Sequence, residues 1–121
     1  KYRHYAPSAD YTIYKGDEVK VAEKIIELAN EKADEGKITG IITADQHLHM
    51  YQGRLNKSIK VVSLGDLEKP EIVANHLFKA LRDFDKVDTE FIFGEAFSEK
   101  NVGQAIMNRL TKAAGYNIID V

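Results

Sequence analysis

Three stretches of this 121-residue chain gather side chains able to do chemistry. The first is KYRHYAP at its start, where two tyrosines, an arginine, a lysine and a histidine precede a proline. Arg3 presents a planar fork suited to phosphate or carboxylate oxygens. His4 and Tyr5 offer directional hydrogen bonds, and the rings of Tyr2 and Tyr5 can cover a ligand and exclude water. No apolar periodicity runs through the strip, so it has no face of its own to bury as helix or strand. Pro7 holds Ala6 extended, which makes the strip a stiff tether rather than a coil.

The second stretch is DQHLHM, residues 45–50, with two histidines and an acid. A metal needs several convergent ligands; on a helical turn His47 and His49 diverge, and on a strand they share a face while the loop sets Asp45 apart. The spacing is unspecific, so a polar loop capping a sheet is the stronger reading and no metal is expected.

The third group is acids near the ends of elements. Asp66, after SLG, resembles the phosphoacceptor of receiver-type domains, which also requires an acidic cluster near the end of the first strand. Asp17 and Glu18 follow Gly16 and instead suit the first turn of a helix, leaving Asp66 as a loop acid or cap. Glu95 and Glu99 flank the expected start of the last helix and suit its dipole, as Arg109 and Lys112 suit its other end. YKGDEV lacks the GxGxxG of a dinucleotide site, and the chain has no P-loop, zincin motif or Ser-His-Asp arrangement. No catalytic group is expected in the globular body.

The elements that must position these groups follow from periodicity. Residues 9–16, ADYTIYKG, alternate as a strand closed by glycine, with Tyr11 and Ile13 against Thr12 and Tyr14. From Asp17, Val21, Ile25 and Leu28, widened by Ala22, Ile26 and Ala29, recur at helix spacing until Gly36. ITGIIT (38–43) and KVVSLG (60–65) read as strands buried on both faces. The polar segment between them has room for one helical turn. Pro70 opens a second helix with an apolar stripe of Ile72, Val73, Leu77, Phe78 and Leu81. A fourth strand spans Glu90 to Phe93. A third helix uses Val102, Ile106, Leu110 and Ala113 and stops at Gly115, and NIIDV reads as a fifth strand.

Strands alternating with helices predict an α/β fold, a Rossmann-like three-layer α/β/α sandwich with about five mostly parallel strands. Ligands of such folds bind beyond the carboxyl ends of the strands. That rule makes Thr43, Gly65 and Gly94 the candidate crevice, with Ala44, Asp45, Asp66, Glu95 and Ala96 beside them.

Composition narrows the function classes. Seventeen Lys and Arg against nineteen Asp and Glu give a net charge of -2, without the basic footprint of a DNA-binding or RNA-binding domain. With no cysteine there is no disulfide, thiolate nucleophile or Cys-ligated zinc. No apolar run reaches the roughly 18 residues of a membrane span and no signal-peptide pattern is present, so a cytoplasmic location and no membrane partner are expected. The start at Lys1 rather than Met predicts a piece of a longer protein.

KYRHYAP, together with ANHLFKALRDFDKVDTEFIFGEAF (74–97) and VGQAIMNRLTKAAG (102–115), resembles the interdomain linker and small C-terminal domain of the long-form threonylcarbamoyl-AMP synthase family. The likeness is strong over residues 1–7 and 74–114 and weak over 9–60. It implies a linker over residues 1–8, a Rossmann-like domain over 9–121, and a YrdC-like catalytic domain in cis, upstream. The parent enzyme so implied is a nucleotidyltransferase. It makes threonylcarbamoyl-adenylate and pyrophosphate from L-threonine, bicarbonate and ATP with a divalent metal such as Mg, for tRNA modification by later pathway enzymes.

By the same resemblance Tyr2, Arg3, His4 and Tyr5 close over the nucleotide and threonylcarbamate. This fragment alone is then inactive and holds no cofactor, meets ATP and L-threonine only through the linker, and touches tRNA only indirectly. Two other classes stay open: a small-molecule or nucleotide sensor at the crevice, and a protein-interaction module.

Overall fold

The computed structural model describes residues 7–98, 100 and 103–121; Tyr2, Arg3, His4, Tyr5, Glu99 and Val102 lie outside the described residues. In chain order the elements are β1 (Asp10–Lys15), α1 (Glu18–Asp34), β2 (Thr39–Thr43), a 3-10 turn (Asp45–Met50), β3 (Lys60–Ser63), α2 (Pro70–Lys86), β4 (Phe91–Glu95), α3 (Gln104–Ala113) and β5 (Ile118–Asp120). The five strands form one sheet in the order β3-β2-β4-β1-β5, and every pair is parallel.

Because side chains alternate along a strand, the sheet has two apolar faces. Tyr11, Ile13, Ile42 and Ile92 pack under α2 and α3 through Leu77, Phe84 and Leu110. Tyr14, Ile41 and Phe93 pack under α1 through Val21, Ile25 and Ala29. This is the three-layer α/β/α sandwich expected from the sequence. Asp17 caps α1 by accepting from the backbone N–H of Val19 and of Lys20 at 3.1 and 3.0 Å, satisfying donors that the first turn leaves free.

Three expectations need correction. β3 is an edge strand, with Lys60 exposed and the other three residues half-buried, because it pairs with β2 alone. In α2, Ile72 is exposed, and Ala80 and Phe84 complete the inner stripe that it was expected to join. β4 does not end at Phe93 but runs through Gly94 to Glu95. Gly94 is not a chain breaker here: a Cβ on it would lie 2.8 Å from Cε1 of Tyr11, so it makes room for a ring. Gly40 plays the same part in β2, where an added Cβ would lie 2.3 Å from Cε1 of Phe84 on α2.

Candidate functional site

Extending β4 to Glu95 changes the chemistry at the carboxyl edge of the sheet. Glu95 is expected at a helix start, but it ends a central strand, faces α1 and is only 3% exposed. A carboxylate so buried requires hydrogen-bond donors, and three residues supply them. The Thr43 hydroxyl, at the end of β2, donates to Oε2 at 2.6 Å, and the Tyr51 hydroxyl donates to the same oxygen at 2.5 Å. Nδ1 of His47, in the 3-10 turn, lies 2.6 Å from Oε1.

The other ring nitrogen of His47 lies 3.1 Å from Oε1 of Glu18 in the first turn of α1, so the imidazole bridges two acids. Its pKa is raised, chiefly by the hydrogen bond to Glu95; burial opposes this, and the charges of Glu95 and Glu18 add to it. Burial, reinforced by the Glu95 charge, pushes the Tyr51 phenol far up, which keeps its proton available to the carboxylate. The arrangement sets a titratable ring between two acids. Neither Glu95 oxygen is left without a donor, and no serine, lysine or cysteine contacts the carboxylate as a nucleophile among the described residues.

The 3-10 turn that carries His47 is fastened at its other side. Ser63 of β3 donates to Asp45 at 2.6 Å, Gln46 donates to Asp66 at 2.7 Å and accepts from the Leu67 N–H, and the Asp45 N–H donates to the Gly65 carbonyl at 3.0 Å. Asp66 is thus a loop acid; the Glu68 N–H, ahead of Gln46, holds its carboxyl below the usual range. His49 is exposed. Among the described residues, no three His, Cys, Asp or Glu side chains are grouped to hold a metal ion.

Of the candidate crevice, Thr43 is fully buried beneath Glu95 and Tyr51, and Gly94 faces the Tyr11 ring. Gly65 has a φ of 108° and lies beside Ile72 and His76. Among the described residues, a cleft opens at this edge on the α3 face, next to Ala96. His47, Tyr51 and Glu95 therefore form a cluster that periodicity does not reveal. A signal for Glu95 existed: it is the sole charge in FIFGEAF, and an acid inside such an apolar run has to be buried and satisfied. The linker residues 2–5 lie outside the described part, but its exit is described: the Ser8 N–H donates to Asp85 at the end of α2, at 2.9 Å.

A family model described as threonylcarbamoyl-AMP synthase, C-terminal domain, matches residues 1–115. The chain belongs to this family. A threonylcarbamoyl-AMP synthase of Pyrococcus abyssi is 42% identical over 121 residues, which is 100% of this chain and 32% of that protein. A Bacillus subtilis threonylcarbamoyl-AMP synthase is 39% identical over 98% of this chain and 32% of its own length. The chain thus spans about a third of the curated relatives it matches.

Among solved structures, P. abyssi Sua5 complexed with L-threonine superposes with a TM-score of 0.76 at 42% identity, covering 100% of this chain and 32% of that one. The C-terminal Sua5 domain from Pyrococcus horikoshii superposes with a TM-score of 0.69 at 34% identity, covering 96% of this chain and 100% of that one. The family's small α/β domain and this chain therefore share a fold, as the two long blocks in the sequence led one to expect. No described helix is long and apolar enough to cross a membrane.

Proposed function

We propose that this chain is the C-terminal part of a threonylcarbamoyl-AMP synthase, in which residues 1–8 are a linker that closes over an upstream catalytic site and residues 9–121 anchor that linker. The observation that carries the reading is the family match from residue 1, which takes in KYRHYAP as well as the globular body. The relatives' threefold greater length leaves room for an upstream catalytic domain in cis, and the P. abyssi relative is described as complexed with L-threonine. The fastening of Ser8 to Asp85 supports the anchor, because it gives the linker a defined point of departure.

The reaction is the joining of L-threonine, bicarbonate and ATP into threonylcarbamoyl-adenylate, with release of pyrophosphate and water. ATP and the divalent metal belong to the upstream domain, where the metal would neutralise phosphate charge. The chain's own contribution is local. Arg3 places a fixed cation fork on phosphate or carboxylate oxygens. Tyr2 and Tyr5 cover a mixed anhydride that water would otherwise hydrolyse, and His4 orients the ligand by hydrogen bonding. The setting is cytoplasmic, and tRNA is met only through later enzymes.

The test replaces Arg3 and, separately, Tyr5 by Ala in the full-length enzyme and measures ATP-dependent adenylate formation. Removing a charge-assisted contact of about 1.5–3 kcal/mol lowers the rate roughly tenfold to a hundredfold for Arg3→Ala. Wild-type kinetics for both variants would sink the closing role.

A further inference from the structure

The carboxyl edge holds a second space that the Glu95 cluster does not fill. It is a cleft of about 560 Å³ on the α3 side, lined by Lys15 and Gly16 after β1, Ala96, Phe97 and Ser98 after β4, Met107, Asn108 and Thr111 on α3, and Ile118 of β5. We propose that this cleft binds a small organic anion, with a phosphate or carboxylate head at Lys15 and an apolar or heterocyclic body against Phe97, Met107 and Ile118.

Topology supplies the opening. The chain leaves β1 for α1 on one face and leaves β4 for α3 on the other, so the two adjacent strand ends part there, which is where ligands of open α/β sheets lodge. Its volume falls within the roughly 300–1,000 Å³ of small-molecule sites, and an apolar wall with a few polar groups is their usual make-up.

Charge sets the sign of the ligand. Lys15 is exposed, has no ion-pair partner among the described residues, and is the one charged side chain among the described residues that line the cleft; Asp120, its cross-strand neighbour on β5, does not line it. Two other clefts differ in that respect: one beside α1 has Glu23 and Glu27 next to Lys20 and Lys24, and one at Phe91 has Asp10 and Glu31 next to Lys32. Asn108 is exposed and without a hydrogen-bond partner among the described residues, so its amide is available to a heteroatom of the body. The Thr111 hydroxyl, by contrast, already donates to the Met107 carbonyl at 2.8 Å. This site is independent of the linker and its proposed role, and testing this chain alone keeps the two readings separable.

The test titrates the isotope-labelled 121-residue chain, whose P. horikoshii relative was solved as the C-terminal domain by itself, and follows backbone amides by NMR. The probes are AMP as a phosphate-headed anion and 3-phenylpropionate as a carboxylate-headed one, with adenosine and inorganic phosphate as single-part controls. The expected result is saturable shifts at residues 15–16, 96–98 and 107–111 with at least one of the two anions, the responding one identifying the head group. Each control should bind at least about tenfold more weakly, and Lys15→Gln should weaken the responding anion about tenfold, while Lys20→Gln on the exposed face of α1 leaves it unchanged. Silence from both anions, shifts confined to other regions, or an undiminished response in Lys15→Gln each overturns the proposal. A thermal melt of Lys15→Gln matching wild type excludes loss of fold as the cause.

Discussion

At the scale of single residues, His47 is the group whose environment has the clearest consequence. Its imidazolium is favoured in the folded chain by the hydrogen bond to Glu95, then by the charges of Glu95 and Glu18, against the cost of burial. Tyr51 and Thr43, the other groups on Glu95, remain neutral donors. A folded pKa above the unfolded value of about 6.5 means that this stabilisation is complete below that pH and fades as pH rises through the raised value.

Thermal unfolding of the wild type should therefore show a midpoint that falls as pH rises above about 6.5. The His47→Asn variant should lose that slope and, near pH 6, about 1 kcal/mol of stability, a figure already reduced because Glu18 is exposed. An equal slope in both proteins would show that the proton sits elsewhere. Of this cluster the sequence disclosed His47, Thr43 and Glu95 as polar groups at a sheet edge, but not that the first two serve the third. Glu95 reads as a helix-start acid by its neighbours in sequence; its partners lie 44 to 52 residues away, a separation that no local pattern encodes.

At the scale of elements, the periodic signals were legible and the flanking ones were not. α1 could be read from Val21, Ile25 and Ala29 because a helix repeats its pattern over several turns. β3 could not be read as an edge, since β-branched residues mark a strand without giving its place in the sheet. Gly94 looked like the end of a strand, and nothing marked Gly40 within its strand, yet both are spaces for rings from other elements.

The close approach of Phe84 to Gly40 can be measured. Gly40→Ala forces its methyl against the fully buried Phe84, and overpacking of this kind costs about 1–3 kcal/mol. Phe84→Leu alone should also destabilise, by leaving space. The double variant should be more stable than the sum of the two losses by at least about 0.5 kcal/mol, because each change relieves the other. Chemical denaturation of the four proteins measures this, and strict additivity would remove Gly40 from the α2 contact.

At the scale of the whole molecule, the α/β class and the layer count follow from alternating strand and helix signals. The strand order does not, because it depends on which crossovers pass over which strands. The same limit applies to the linker: its chemistry can be read from its residues, whereas what it closes over lies beyond this chain. What the fold does supply is a departure point. Pro7 limits the backbone at the exit, and the Ser8 N–H is tied to Asp85, 77 residues later, at the end of a helix packed on the central sheet.

If the domain works as an anchor, loosening this tie should weaken linker closure without unfolding the domain, since the bond is solvent-exposed and worth about 0.5–1.5 kcal/mol. In the full-length enzyme, Asp85→Ala should then lower adenylate formation by about twofold to tenfold while the melting temperature of the isolated domain shifts little. Asp85→Asn, which keeps an acceptor oxygen at the same place, should recover most of the rate. Unchanged kinetics in Asp85→Ala alongside a strong defect in Arg3→Ala would keep the linker as the ligand-covering strip and remove this domain from its positioning.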